Sequence, residues 1–284
     1  MLATKGCFMS DRHLRTSALA LAAGLLLLAQ ACGTNTGTTE LNAAMGEPAQ
    51  SPEPELDPMA GAPVVGSCYS MSRTQSVSTT NTRKPVSDCY EKHNTLTYHV
   101  GLFKAGTTSS DYAVVTKQCK KHLPEATGLS KGRLLGSVLD WIWFEPTTAQ
   151  WSAGARWFRC DLVAESGDKL KLLPETSRTT DLFADGLEDP YARCIRRGPD
   201  TNDDGEDDAI YVTCDKPHGY RWAGWFEAPV GKSAKYPTDA QFEKFANANC
   251  GRIAGTDSWW VTWPLEAWWR DGERRLSCYK FTSS

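Results

Sequence analysis

The arrangement of cysteines constrains the fold of this 284-residue chain more than any other feature. Eight cysteines after residue 60 form two sets of four in similar order. The first set is Cys68, Cys89, Cys119 and Cys160, and the second is Cys194, Cys214, Cys250 and Cys278. In each set the second cysteine begins a Cys-x-x-x-His sequence, ending at His93 and at His218. A pattern repeated along one chain predicts a small domain that is present twice.

A longer signature ends at the fourth cysteine of each set. It has the form Pro-x4-Trp-x2-Gly-x-Arg-x3-Cys, and it occupies residues 146–160 and again residues 264–278. Chance rarely produces five fixed residues at identical spacing. We therefore predict two tandem domains, 65–164 and 190–284, joined by a polar and irregular linker over 165–189.

The patterns within the second copy predict an α+β fold. Residues 209–214 are β-branched and aromatic, which favours a strand. A helix is predicted to begin at Thr238, where Gln241 completes a capping box. Phe242, Ala246 and Cys250 lie on one face of this helix. The first copy repeats this order, with a helix over 112–122. We expect each disulfide-stapled domain to be a short antiparallel sheet with one main helix.

The cysteines are expected to form disulfides, because even numbers of cysteines in small exported domains usually do. Four cysteines allow three connectivities within each copy. We favour first with second and third with fourth. Cys194 and Cys214 flank a hairpin-like segment, and the helix that contains Cys250 would lie against the last strand at Cys278. Each bond would stabilise the fold by roughly 3 kcal/mol through loop-closure entropy.

The N-terminus resembles an export signal. Basic residues precede an apolar run over 18–29, which is too short to span a bilayer, so we predict a signal peptide over 1–31. The small residue Ala31 followed by Cys32 resembles a lipoprotein box, and it predicts a lipid on Cys32 and a location on the outer face of the cell membrane. The alternative is an ordinary secretory signal cut near Ala31, and Met9 is an alternative start.

Residues 32–64 differ in composition from the rest of the chain. They are rich in Thr, Ala, Glu and Pro, whereas all eleven tryptophans lie beyond them. Such a segment buries too little apolar surface to offset backbone entropy, so we predict a disordered tether. The formal net charge is −3 and no basic stripe is present, which argues against a nucleic-acid partner.

Residues 67–281 resemble the septum-formation domain family of actinobacterial secreted and membrane-anchored proteins. The resemblance rests on Cys214-Asp-Lys-Pro-His218 and on the late Trp, Gly-x-Arg and Cys that both copies contain. It implies a disulfide-stapled fold and a connection to cell division. Envelope or division proteins are the partners that it suggests, and it implies no chemistry.

The Cys-x-x-x-His pairs could serve as zinc ligands or as a nucleophile with its base. An oxidising compartment and a full set of pairable cysteines favour disulfides with a structural histidine that caps local backbone. The sequence contains no serine-hydrolase elbow, phosphate loop or zinc-protease helix. We therefore expect no catalytic residue and no enzyme. A hydrolase or thiol enzyme, which needs a free cysteine or a hidden triad, is the alternative.

Residues 200–208 contain the most specific ion signal. Oxygen ligands at alternate positions and a glycine at the sixth follow the first part of an EF-hand-type calcium loop, although the acid at position 12 is missing. The predicted weak calcium ligands are Asp200, Asn202, Asp204, Glu206 and Asp208. A solvated acidic hairpin tip is the alternative interpretation.

Tryptophans are crowded between residues 259 and 269. Trp260, Trp263 and Trp268 do not recur between the copies, so they are the candidates for a surface that contacts a glycan or a protein partner. The leading hypothesis is a non-enzymatic, lipid-anchored envelope protein that binds a division or cell-wall partner. A glycan-binding module that uses these tryptophans is the alternative.

Overall fold

Two antiparallel sheets form the framework of the protein, and each contains cysteines from one of the two sets. A computed structural model describes residues 57–166, 169–176, 178–199 and 208–282. Within these ranges the chain is α+β, with few helices and four disulfides, as predicted. None of the helices in these ranges is both long enough and apolar enough to cross a membrane.

The first sheet has the strand order β1-β2-β4-β3, and the short strand β5 pairs antiparallel with the end of β4. Its strands are β1 (Cys68–Tyr69), β2 (Thr95–Leu102), β3 (Leu139–Phe144), β4 (Trp157–Ser166) and β5 (Lys169–Leu170). The accompanying helices are α1 (Arg73–Ser76), α2 (Tyr112–Thr127), α3 (Lys131–Leu134) and α4 (Thr148–Ser152). The central strand β4 is buried over most of its length, because side chains cover both faces of the sheet.

Helix α2 covers one face of the first sheet. Asp111 caps its start by accepting hydrogen bonds from two backbone amides. The buried residues Val115, Cys119 and Leu123 face the sheet. The helix ends at Gly128, whose φ of 71° suits glycine. It is therefore five residues longer than the sequence predicted, because Pro124 lies inside it without ending it.

The second sheet has the order β7-β6-β8-β10-β9. Its strands are β6 (Arg193–Arg197), β7 (Ala209–Thr213), β8 (Tyr220–Glu227), β9 (Trp259–Thr262) and β10 (Arg275–Phe281), with helices α5 (Asp239–Ala254) and α6 (Glu266–Arg270). Thr238 caps α5 and forms the predicted capping box with Gln241. Phe242, Ala246 and Cys250 are buried against the sheet, as the helical pattern predicted.

The four disulfides confirm the predicted pairing. They join Cys68 to Cys89, Cys119 to Cys160, Cys194 to Cys214 and Cys250 to Cys278. In each half one bond ties the main helix to the last long strand, and the other closes a loop of about twenty residues. The bonds replace part of the apolar core that domains of this size lack.

The two halves contact each other through backbone and side chains. Val138 donates its amide to the carbonyl of Tyr191 at 2.9 Å, and Arg193 donates to the carbonyl of Gly136 at 2.8 Å. The turn around α3 packs closely against β8, because an ideal Cβ added to Gly136 would be 2.2 Å from the ring of Trp222. All described residues belong to one compact unit. The division into two tandem domains stays a prediction from the sequence.

Parts of the predicted linker and of the predicted tether pack against the first half of the protein. In the segment 165–189, Leu173 and Phe183 are buried in the first core, and β5 pairs with β4. Before residue 65, the carbonyl of Pro58 accepts a hydrogen bond from the amide of Arg156 at 2.8 Å. Local composition did not predict this order because the contacts join residues that are far apart in the chain.

Candidate functional site

The repeated signature forms part of the scaffold. The guanidinium of Arg274 lies 3.9 Å from the ring centre of Trp269, and that of Arg156 lies 4.5 Å from Trp151. Each arginine also donates Nη1 to the backbone carbonyl of its tryptophan. The signature glycine Gly272 has a φ of 92°, which β-carbon-bearing residues rarely adopt. The repeated residues therefore fix the turn that leads into the last strand.

The histidines of both Cys-x-x-x-His sequences also have structural roles. His93 Nδ1 donates to the carbonyl of Glu91 at 2.8 Å, and His218 Nδ1 donates to that of Lys216 at 2.7 Å. This is the backbone capping that the sequence predicted. Potential ligand atoms of Cys194, Cys214 and His218 lie within 4.8 Å of one another. The sulfur atoms are bonded together, however, so neither is a thiolate that could bind a metal or attack a substrate.

The three candidate surface tryptophans have different environments. Trp260 is fully buried, so the prediction that it lies on the surface is wrong. Its indole packs edge-on against Tyr220 at 5.2 Å on the face of the sheet opposite α5. Trp263 is partly buried and stacks on Phe242 at 5.0 Å. Trp268 is 55% exposed and agrees with the prediction.

Trp263 and Trp268 line a cleft of about 950 Å³ between the two halves. Trp225 of β8, which is 38% exposed, adds a third indole. The opposite wall comes from the first half, through α3 and the nearby residues Lys120 and Asp140. The volume is within the range of small-ligand and oligomer sites. We call this concavity the interhalf cleft.

The interhalf cleft has charged residues of both signs. Its cationic side chains are Lys120, Lys131, Arg193, Lys232, Arg274 and Arg275, and its acidic ones are Asp140, Glu227, Asp271 and Glu273. Glu273 and Arg275 form an ion pair with each other. Burial alone would raise the pKa of Glu273, but hydrogen bonds from Arg275 outweigh burial and lower it. This pair is therefore ionised and already neutralised.

A second, smaller concavity adjoins the interhalf cleft. It has a volume of about 540 Å³ and shares Lys232 and Arg274 with the cleft. Lys235 and Arg270 add two further cations, whereas Glu266 is the one acid that lines it. We call it the basic pocket.

Helix α6 separates the two concavities. Of its consecutive residues, Trp268 lines the interhalf cleft, Trp269 is buried in the core and Arg270 lines the basic pocket. Successive helical residues point about 100° apart, which explains how one short helix serves both sites. The buried Trp269 donates its indole N–H to the carbonyl of Ala234 at 2.9 Å and so holds the helix in place.

The predicted calcium and lipid sites lie largely outside the described residues. Asp200, Asn202, Asp204 and Glu206 fall in the range 200–207, and Cys32 falls before residue 57. Of the calcium candidates the structure describes Asp208 alone, whose carbonyl accepts a hydrogen bond from the amide of Gly198 at 2.8 Å. This bond joins the start of β7 to the end of β6.

Sequence reasoning missed Trp225 and the cations of the basic pocket. Trp225 lies on β8, and its exposure depends on how α3 packs against that strand. Lys232, Lys235 and Arg270 are separated by up to 38 positions, so no run of charge marked them. The sequence nevertheless contained a signal for this site. The repeated signature aligns Trp268 and Arg270 with Gln150 and Ser152 of the first copy, so both residues are specific to the second copy.

Comparison with known proteins gives one match. A family model described as septum formation matches residues 66–278, which is most of the chain. Neither the curated proteins nor the solved structures contain a match to this chain.

Proposed function

Since this chain belongs to the septum-formation family, we propose that it is a non-enzymatic binding module of the cell envelope that acts in septum formation. Its four disulfides and its family fit an extracytoplasmic protein. The disulfides argue against a thiol enzyme in particular, because a disulfide sulfur cannot act as a nucleophile.

The interhalf cleft is the observation on which the binding role depends. Exposed indoles are common anchors at binding sites, because they offer a large apolar area and one polar N–H. The cleft brings together Trp225, Trp263 and Trp268, and charged side chains surround them. We propose that an envelope or division protein inserts into this cleft.

A cell-wall glycan is the second candidate ligand. One observation favours it: Trp268 is more than half exposed and Trp263 lines the same cleft, so a sugar ring has an indole face to stack on. Trp263 directly follows β9 and Trp268 belongs to α6, and neither tryptophan recurs in the first copy. Trp260, which is buried, plays no part in this hypothesis.

Two further proposals concern anchoring and calcium. A lipid on Cys32 would hold the protein at the outer face of the membrane, and a Cys32→Ser variant should then be released into the medium. Weak calcium binding at residues 200–208 would raise the melting temperature at millimolar calcium by mass action. An unchanged melting temperature would contradict the calcium proposal.

The position of an envelope-competent fluorescent fusion in dividing host cells tests the proposed function. We expect enrichment at the septum for the full chain. An even distribution around the cell would contradict a role in septum formation.

The Trp268→Gln variant tests whether the interhalf cleft is responsible. It introduces the residue that the first copy has at the matching signature position, so it should preserve the turn. We expect this variant to lose septal enrichment while its amount and melting temperature stay unchanged. Enrichment equal to that of the unmodified protein would exclude the cleft as the septal binding site.

A further inference from the structure

The interhalf cleft and the basic pocket adjoin each other, and they offer two kinds of recognition on either side of α6. The cleft side has the exposed indole of Trp268, and the pocket side has the guanidinium of Arg270. Lys232 and Arg274 line both concavities. A ligand that lies across α6 would therefore contact an aromatic face on one side of the helix and cations on the other.

The basic pocket has an excess of positive charge over negative charge. Within the described part of the chain, no ion pair involves the side chains of Lys232, Lys235 or Arg270. All three residues are exposed. The acid that lines the pocket is Glu266, so cations outnumber acids there. The protein as a whole has a net charge of −3, which makes this local excess of positive charge distinctive.

Arg274 is fixed differently from the other three cations. Its Nη1 and Nη2 donate to backbone carbonyls, and its guanidinium stacks on Trp269. It therefore contributes a positive charge at a fixed place, between the two concavities. The flexible Lys232, Lys235 and Arg270 remain available to an anionic group of the ligand.

We propose that the adjoining concavities bind an acidic glycan, with a sugar ring stacked on Trp268 and Trp263 and a carboxylate or phosphate bound by Lys232, Lys235 and Arg270. This inference rests on the second candidate of the proposed function, a glycan in the interhalf cleft, and not on the protein partner. Charge complementarity selects the acidic glycan, because a neutral sugar would leave the basic pocket unused. The first copy has Gln150 and Ser152 in place of Trp268 and Arg270, so it lacks both elements of the site at those positions.

Calorimetric titration of the full chain tests the inference with soluble oligosaccharides of equal length. One probe is a neutral N-acetylglucosamine tetramer. The second alternates N-acetylglucosamine with N-acetylmuramic acid that has free carboxylates, and the third is a sugar oligomer linked by phosphodiesters. We expect at least one acidic probe to bind about tenfold more tightly than the neutral one at low salt, and added salt should reduce this difference.

Two variants separate the aromatic from the ionic contribution. Trp268→Gln should weaken the binding of every probe, because it removes the stacking face. The double variant Lys235→Ser and Arg270→Ser should remove most of the preference for the acidic probe, because only Lys232 and Arg274 remain as cations of the pocket, while neutral binding is unchanged. Lys244→Ser, on the exposed side of α5, is the matched control and should leave the affinities unchanged.

Four results would overturn the inference. Equal affinity for the neutral and acidic probes would contradict the proposed ionic contact. An unchanged affinity of the Trp268→Gln variant for the probes would contradict the proposed aromatic contact. Equally tight binding of inorganic phosphate alone would show that no sugar is recognised. If septal enrichment persists while every glycan fails to bind, the glycan inference fails and the proposed binding of a division partner survives. If an acidic glycan binds but the fusion is evenly distributed, the septal role fails instead.

Discussion

A buried ion pair lies at the centre of the first sheet. Arg159 and Asp161 are two residues apart on β4, and their side chains are 2% and 0% exposed. The distance from Arg159 Nη2 to Asp161 Oδ2 is 3.1 Å, and Thr97 donates its hydroxyl to Asp161 Oδ1 at 2.6 Å. Tyr69 and Phe144 stack on the guanidinium. One carboxylate and two aromatic rings therefore stabilise the buried charge of Arg159.

Removal of one member of this pair should be far more harmful than removal of both. We expect Asp161→Ala to lower the free energy of unfolding by about 3–5 kcal/mol, because Arg159 would remain buried without its counter-ion. The double variant Arg159→Met with Asp161→Leu should cost much less, since apolar residues of similar volume need no ionic partner. Denaturant unfolding of the three proteins measures the difference. Equal losses for the single and double variants would show that packing, not charge, is what matters here.

A second feature at the residue scale is the stacked pair of His99 and His122. Their ring centres are 4.1 Å apart with an interplanar angle of 12°. Burial, followed by the nearby charges of His122 and Lys121, lowers the pKa of His99 from 6.5 to about 4. The folded state therefore favours neutral His99, whereas the unfolded state binds a proton at mildly acidic pH.

This difference predicts a specific loss of stability in acid. Because the unfolded state binds more protons between pH 6.5 and about 4, the stability from His99 is present at neutral pH and declines as the pH falls through this window. Solvent screens the half-buried ring, so we expect a loss of about 1 kcal/mol by about pH 5. Melting temperatures of the unmodified protein and of His99→Phe, compared from pH 7 to about 5, measure it. Parallel curves would contradict the assigned pKa.

At the scale of elements, the contact between α3 and β8 sets the shape of the interhalf cleft. An ideal Cβ added to Gly132 would lie 2.1 Å from Trp225 Nε1, and one added to Gly136 would lie 2.2 Å from Trp222 Cε3. Glycine is required at both positions for close approach, which brings the turn into contact with two indole rings. Any side chain there would push the two elements apart.

Gly136→Ala should therefore destabilise the protein by about 1–3 kcal/mol, the usual cost of forcing extra atoms into a packed contact. It should also increase the exposure of Trp222, detectable as a red shift in fluorescence. Gly219→Ala is the matched control, because nothing lies within 4 Å of the added carbon. Similar melting temperatures for Gly136→Ala and the unmodified protein would show that the contact is loose in solution.

At the scale of the whole molecule, the disulfides account for much of the stability. Their sequence separations of 20 to 41 residues correspond to about 3–4 kcal/mol each by loop-closure entropy. Together they match or exceed the net stability of a typical domain. The protein should thus require oxidising conditions in order to remain folded.

After reduction of the four bonds the protein should be unfolded at 37 °C and should show no cooperative melting transition. The denatured but unreduced protein should show no free thiol among the eight cysteines. Thiol titration and calorimetry measure both outcomes. One reactive thiol in either copy would reopen the hypothesis of a thiol enzyme. A melting transition that survives reduction would show that the two cores are sufficient without the bonds.

Local patterns along the chain are sufficient to predict the covalent framework and the fold class. Cysteine spacing together with strand and helix patterns predicted the four disulfides, the capping box at the start of α5 and its buried face, because these depend on local geometry and on short-range periodicity. The exposure of the tryptophans depends instead on packing between distant parts of the chain. Trp259 and Trp260 are neighbours on opposite faces of β9, and both are buried, because α5 covers one face and Tyr220 and Tyr279 cover the other. The interhalf cleft depends in the same way on the docking of α3 onto β8, a contact between residues about 90 positions apart that no local pattern records.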